Sequence, residues 1–207
     1  MAPSRDETGS LNGAAVPDED LLRANTYALL ANLLRTLPDD RTLTELSNLE
    51  SNDGEFGGAM AALAGAARET TPEAVDDEYH DLFIGVGAAE LTPYASYYLT
   101  GFVYEKPLAK LRVEMARLGI AKADGVGEPE DHIAALLEMM CGLITGAFGE
   151  PAEVARQHTF FDDHIAPWGE RFFEDLETAS SATFYKPVGT IGRLFMRIES
   201  EAFEMAA

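Results

Sequence analysis

Apolar residues recur along this chain at the three- and four-residue spacing of helices, and no segment of useful length alternates as a half-buried strand does. Between Pro17 and Pro38, residues Leu22, Leu29, Leu30, Leu33, Leu34 and Leu37 keep helical spacing, with Asp18 expected as the N-cap. Leu43, Leu46 and Leu49 mark a shorter helix over Thr42–Glu50, and alanine-rich Ala59–Arg68 a third, after a breaker-rich stretch at 51–58. Thr71, Pro72 and Glu73 supply a cap, a proline suited to the first helical position and an early acid. The helix they open carries Val75, Tyr79, Leu82 and Phe83 on one face. Leu108, Leu111, Met115 and Leu118 form the stripe of a helix over Lys106–Leu118. Glu128-Pro129-Glu130-Asp131 reads as another acidic, proline-opened helix start, leading through Ile133, Leu136, Leu137, Met140 and Leu143 to about Phe148. Pro151 is expected to start a further helix, Pro167 to interrupt one near Phe160–Trp168, and Gly169–Glu177 and Val188–Met205 to complete the set. The expected fold class is all-α, a single globular helical domain over 18–207 with about eight to ten helices. A flexible acidic N-terminal tail over 1–17 precedes it.

Charge narrows the partners. Against 15 Lys and Arg stand 36 Asp and Glu, a formal charge of -21 that repels phosphate backbones and anionic lipid and favours a cationic partner. The acids are unevenly placed: eight between Glu69 and Glu105 and seven between Ala123 and Ala155, with no Lys or Arg in either window. An acid-rich chain commonly has solvated acidic faces. The functional alternative is an electronegative docking surface for a basic peptide, which makes association salt-sensitive. No apolar run approaches the roughly 20 residues of a membrane span, and residues 1–20 lack a secretory apolar stretch, so neither nucleic acid nor membrane insertion is expected and the location expected is cytoplasmic. The lone Cys141, among Met139, Met140, Leu143 and Ile144, is expected to be a buried structural thiol.

Few motifs suggest catalysis. Asp131 and His132 invite a metal or acid/base reading, but adjacent helical residues point about 100 degrees apart and the residues three and four onward are Ala134, Ala135 and Leu136. Convergence with His158 or His164 has no basis in the spacing. The plain reading makes Asp131 a first-turn acid complementing the helix dipole and His132 a partly exposed residue of the same cap region, neither of them core; the functional one makes the pair a recognition element beside an apolar groove. Gly85-Val86-Gly87 and Gly125-Val126-Gly127 lack the Lys-Ser/Thr of a phosphate loop and read as turns. The cluster Tyr94, Tyr97, Tyr98, Phe102 and Tyr104 reads for the most part as core aromatics, with an exposed peptide-binding patch as the alternative.

Several blocks, in order, carry a resemblance. Glu78-Tyr79-His80-Asp81-Leu82-Phe83-Ile84-Gly85 resembles the E-Y-x-x-L-F-x-G block of the TorD/DmsD/NarJ family of redox-enzyme maturation chaperones. Pro93-Tyr94-Ala95-Ser96-Tyr97-Tyr98 is similar to that family's P-x-x-S-x-Y block, and Glu128-Pro129-Glu130-Asp131-His132-Ile133 to its E-P-x-D-H-I element. Gln157, Phe160, His164 and Trp168 fall on its Q-x-x-F-x-x-x-H-x-x-x-W spacing. The resemblance implies a TorD-like, non-enzymatic cytoplasmic chaperone without a cofactor or metal of its own, monomeric or a homodimer. It would bind the twin-arginine signal peptide and the apo catalytic subunit of a molybdenum- or tungsten-cofactor oxidoreductase, and delay export until maturation. It implies Asp131 and His132 as client-recognition residues, supported by Glu128 and Pro129, with Leu82, Phe83, Pro93, Ser96 and Tyr97 shaping an adjoining groove. The sequence departs at Tyr94 and Ala95, where many members have Trp and Glu. The run from Tyr97 to Phe102, with Glu105-Lys106-Pro107-Leu108 after it, resembles the branch encoded beside formate dehydrogenases, which suggests such an enzyme as client. The competing expectations are a metal-dependent helical hydrolase using Asp131 and His132, and an acidic decoy that mimics nucleic acid.

Overall fold

The structure, a computed structural model, describes residues 16–85, 89–122, 125 and 127–206. Among the described residues ten helices follow in order: α1 (Asp18–Arg35), α2 (Asp40–Ser47), α3 (Glu55–Glu69), α4 (Pro72–Tyr79), α5 (Ala95–Thr100), α6 (Lys106–Leu118), α7 (Ile133–Thr145), α8 (Val154–His164), α9 (Gly169–Thr178) and α10 (Tyr185–Ala206). A single π-helical turn, His80–Ile84, continues α4 and ends at Gly85, whose φ of 64° suits a residue without a Cβ. Among the described residues there is no strand, only an isolated antiparallel bridge between Tyr94 and His132. The all-α expectation holds. Most of the expected tail (1–15), Val86 and Gly87 of one glycine turn, and Asp124 and Val126 of the other loop lie outside the described residues.

Helix ends differ from expectation where capping was misjudged. Pro17, not Asp18, occupies the α1 N-cap position, and Asp18, Glu19 and Asp20 sit together in the first turn, where the helix dipole favours acids. Leu22 and Leu37 of the expected stripe are exposed; the buried face is Ala24, Tyr27, Leu30, Ala31, Leu33 and Leu34. Helix α2 starts two residues early because Asp39 Oδ1 accepts from Thr42 N at 2.8 Å. Helix α8 starts at Val154, not Pro151. Helix α7 ends at Thr145 rather than Phe148, because Gly146 turns left-handed and the Phe148 ring folds back against Gly142.

The most extensive helix pairs are α9 with α10 and α1 with α7. Close approach in the first depends on Gly189 and Gly192: a Cβ at Gly189 would lie 2.4 Å from Glu177 N, and one at Gly192 2.1 Å from the Phe173 ring. Helix α7 is the most enclosed, with Ile133, Ala134, Leu136, Leu137 and Met140 at zero exposure. Cys141 is half-buried rather than buried, and burial pushes its thiol up from the ordinary value.

Part of the acidity in the base-free windows is structural. Glu78 accepts from the backbone N–H groups of Thr183 (2.8 Å), Phe184 (2.9 Å) and Tyr185 (2.8 Å), donors at the start of α10 that have no intrahelical acceptor. Glu90 likewise takes the N–H groups of Ser180 and Ser181; burial works to raise its carboxyl, but these hydrogen bonds outweigh it and hold it down at about 2. Glu78→Ala strands three donors and is expected to lower unfolding stability by roughly 1–3 kcal/mol. Urea unfolding measures it, and Glu78→Gln, which keeps one acceptor oxygen, should recover part of the loss.

Candidate functional site

The blocks 93–97 and 128–133 form one unit. Ile133 N donates to Pro93 O (2.9 Å) and Ala95 N to Asp131 O (3.0 Å), so the two segments cross like a short ladder. The Asp131 carboxylate then reaches the start of α5, where Oδ2 accepts from Ser96 N at 2.9 Å. Ser96 Oγ in turn accepts from Glu105 N (3.3 Å) and Ser96 O from Thr100 Oγ1 (2.8 Å). Tyr94 lays its ring edge-on to His132, with centroids 5.2 Å apart, and donates its hydroxyl to Glu128 Oε1 at 2.9 Å. Burial, then this hydrogen bond and the Glu128 charge, raise the Tyr94 hydroxyl, with lesser contributions from nearby Tyr104 and Tyr79.

The first-turn place of Asp131 and the exposure of the pair differ from expectation, while the cap region is where it was expected. Asp131 precedes the N-cap of α7 and is not in its first turn; it serves α5 instead. His132 is that N-cap, its Nδ1 accepting from Ala134 N at 3.1 Å, which puts its proton on Nε2, 3.7 Å from Glu128 Oε1. Neither is partly exposed: relative exposure is 1% for Asp131 and 3% for His132. Burial, against the smaller pull of Glu128, pushes the His132 imidazole down to about 4, so it is neutral at pH 7. Both residues are therefore core, contrary to the sequence expectation, and substitution at either is expected to disturb the fold. His164 does converge with Asp131, which the spacing did not indicate. The two line a cavity of about 10 Å³, and Asp131 Oδ1 and His164 Nε2 both lack a hydrogen-bond partner within the protein. Among the described residues no group of three or more His, Cys, Asp or Glu side chains is placed to hold a metal ion.

The remaining candidates separate by exposure. Leu82, Pro93 and Ser96 are buried, Phe83 is half-buried against Tyr79 and Tyr185, and Tyr97 is exposed. Pro129 is buried, yet with Glu128 it lines a pocket of about 170 Å³ whose apolar walls include Met115, Ile120, Ala135, Met139 and Phe148. Other acids there are already paired: Glu130 with Arg112 (2.8 Å) and Glu138 with Arg35 (2.7 Å). The Glu128 side chain is 37% exposed, and its nearest basic group is the neutral His132.

The aromatic cluster overturns its core reading at three positions. Tyr97 is 44% exposed, Phe102 70% and Tyr104 69%, while Tyr94 and Tyr98 are half-buried. Tyr104 is the single described non-glycine residue at positive φ, 62°, a conformation costing a bulky side chain about 1–2 kcal/mol.

The Q-x-x-F-x-x-x-H-x-x-x-W residues are framework. Gln157, Phe160, His164 and Trp168 are all buried, and Trp168 Nε1 donates to His164 O at 2.8 Å. Gln157 also belongs to a network that sequence reasoning missed altogether, centred on the buried Glu199 of α10. A lone acid on the apolar side of the last helix was its signal.

Comparison with known proteins gives a consistent result. The family model described as "Nitrate reductase delta subunit" matches residues 49–174. The chaperone protein TorD of Aliivibrio fischeri is 28% identical over 169 residues, which cover 75% of this chain and 78% of the relative. That of Photobacterium profundum is 31% identical over 116 residues, 52% of this chain and 54% of the relative. Among solved structures, a redox enzyme maturation protein from Archaeoglobus fulgidus superposes with a TM-score of 0.59 at 21% identity, covering 85% of this chain and 94% of that one. That last likeness concerns the fold.

Proposed function

Because this chain belongs to the nitrate reductase delta subunit family, the TorD/NarJ group of chaperones for molybdoenzyme maturation, we propose that its client is the apo catalytic subunit of a molybdenum- or tungsten-cofactor oxidoreductase, held through its twin-arginine signal peptide. The family match spans the three blocks from Glu78 to His132, and it is the observation that carries the proposal. Binding in the cytoplasm would hold the client back from export until its cofactor is loaded. A formate dehydrogenase is the client suggested by the run from Tyr97 to Phe102.

The chemistry of the site supports this reading. A twin-arginine leader offers two guanidinium groups and an apolar stretch. The protein offers a net charge of -21, a half-buried Glu128 carboxylate lining an apolar pocket, and exposed aromatic rings at Tyr97, Phe102 and Tyr104. In this reading Glu128, Pro129, Phe83 and Tyr97 meet the client, and Asp131, His132, Leu82, Pro93 and Ser96 hold them in place. The hydrolase alternative loses its residues, since both ring nitrogens of His132 are turned to neighbours and Asp131 is sealed behind α5.

Calorimetry with a synthetic leader peptide tests the proposal. A reversible holdback suits a micromolar dissociation constant, about -8 kcal/mol. Replacing both leader arginines by glutamine is expected to weaken binding by about tenfold or more, the loss of charge-assisted hydrogen bonds of roughly 1.5–3 kcal/mol. An affinity that ignores both this change and added salt would exclude recognition of the arginine pair.

A further inference from the structure

Resting on the signal-peptide reading, we propose that the leader's apolar stretch docks on an exposed aromatic ridge, residues 97–104, which the buried Asp131–Ser96 pair exists to hold in shape. Single exposed apolar side chains need no explanation. Here Tyr97, Leu99, Phe102, Val103 and Tyr104, five of eight consecutive residues, are each more than 40% exposed. Nothing in the fold itself needs Phe102 or Tyr104, whose rings contribute little burial. Such concentrations of exposed apolar surface mark binding sites.

The backbone points the same way. Tyr104 is held left-handed, where glycine would sit without strain, so local stability alone favours a different residue. The segment is braced from beneath. Glu105 N donates to Ser96 Oγ, Phe102 N to Thr100 Oγ1, and Thr100 Oγ1 to Ser96 O, while Ser96 itself is anchored by Asp131 Oδ2. Two motif residues too buried to touch a client thus position residues that can. Asp131 and Ser96 are positioning residues and the ridge is the contact.

Charge selects the occupant. Tyr94 is the N-cap of α5, the helix that carries Tyr97 and Leu99 of the ridge, and its hydroxyl donates to Glu128, so a peptide on the ridge can place a cationic end toward that carboxylate. An apolar segment beginning with arginines has this layout. An anionic lipid surface is repelled by the net charge of -21.

The test compares leader affinity for wild type, Phe102→Ser, and the double variant Phe102→Ser/Tyr104→Gly, with urea unfolding of each. Both sites are exposed, so folding should survive, and the glycine should leave stability equal or higher. Leader affinity is expected to fall several-fold for the single variant and about tenfold or more for the double. Should wild type bind no leader at all, the signal-peptide reading falls and takes the ridge with it. If wild type binds and both variants bind equally well, the ridge assignment alone is overturned. A wild-type dimer dissolved by the double variant with leader affinity intact would assign the ridge to a second copy. Wild-type binding to phosphatidylcholine vesicles, lost in the variant with leader affinity intact, would assign it to lipid.

Discussion

Glu199→Ala is expected to destabilise the protein by about 3 kcal/mol, the lower end of the range for removing one partner of a buried ion pair. Glu199 is 1% exposed, and its carboxylate takes both Arg23 Nε and Arg23 Nη2 at 2.8 Å, a bidentate pair, as well as Tyr27 Oη–H at 2.9 Å. Arg23 further donates to Asp20 (2.7 Å) and Gln157 (3.1 Å) and lies over the Phe203 ring. The network therefore ties α1, α8 and α10 together. Truncation leaves the fully buried Tyr27 hydroxyl and one edge of the guanidinium without an acceptor. Arg23 keeps its other two partners and a 17% exposed side chain, which is why the upper end of the range does not apply. Glu199→Gln, retaining one acceptor, should cost about half as much. Pairing Arg23→Met with Glu199→Met should cost less than the sum of the single changes, because no charge is then stranded. Urea unfolding of these variants beside wild type checks all of this; a loss below about 1 kcal/mol for Glu199→Ala would mean that water reaches the site and replaces the carboxylate.

Helices were legible because their signal is local. The stripe of α6 and the Thr71-Pro72 start of α4 each lie within a few turns of chain, and the structure reproduces them. Burial of the motif residues was not legible, because their partners are remote in sequence. Asp131 finds Ser96 across 35 residues, Glu78 finds Tyr185 across 107, and Arg23 finds Glu199 across 176. An acid before a helix looks the same in sequence whether it faces water or caps another helix. The aromatic cluster departs from its reading because composition favours core for Tyr and Phe, whereas Phe102 and Tyr104 are exposed in the segment between the left-handed Gly101 that ends α5 and the start of α6, with Tyr104 itself left-handed. Both readings of the acidic windows, solvated face or docking surface, leave out a local task that three of these acids have: Glu78, Glu90 and Asp131 accept from backbone N–H groups.

The second large effect concerns acid. His132 lies with its imidazole enclosed, Nδ1 bound to Ala134 N and Nε2 toward Glu128, with Asp131 and Arg35 also acting on it. Its folded value of about 4 stands below the ordinary 6.5, so between these limits the unfolded chain takes up a proton that the folded one refuses. Unfolding then gains from protonation, and stability falls as pH drops from about 6.5 to about 4. Above 6.5 the histidine contributes no slope. Between those two values the loss amounts to about 3 kcal/mol. His164, also lowered by burial, acts in the same direction, and the Glu90 carboxylate adds its own loss only below its ordinary range, toward pH 2. His132→Asn isolates the effect, because asparagine is a good N-cap acceptor and does not titrate. Urea unfolding across roughly pH 4 to 7.5 should show the variant with a shallower slope in this window by up to about one proton. Parallel profiles for the two proteins would mean that water solvates His132 in the folded state, and its role as the neutral, buried cap of α7 would fall.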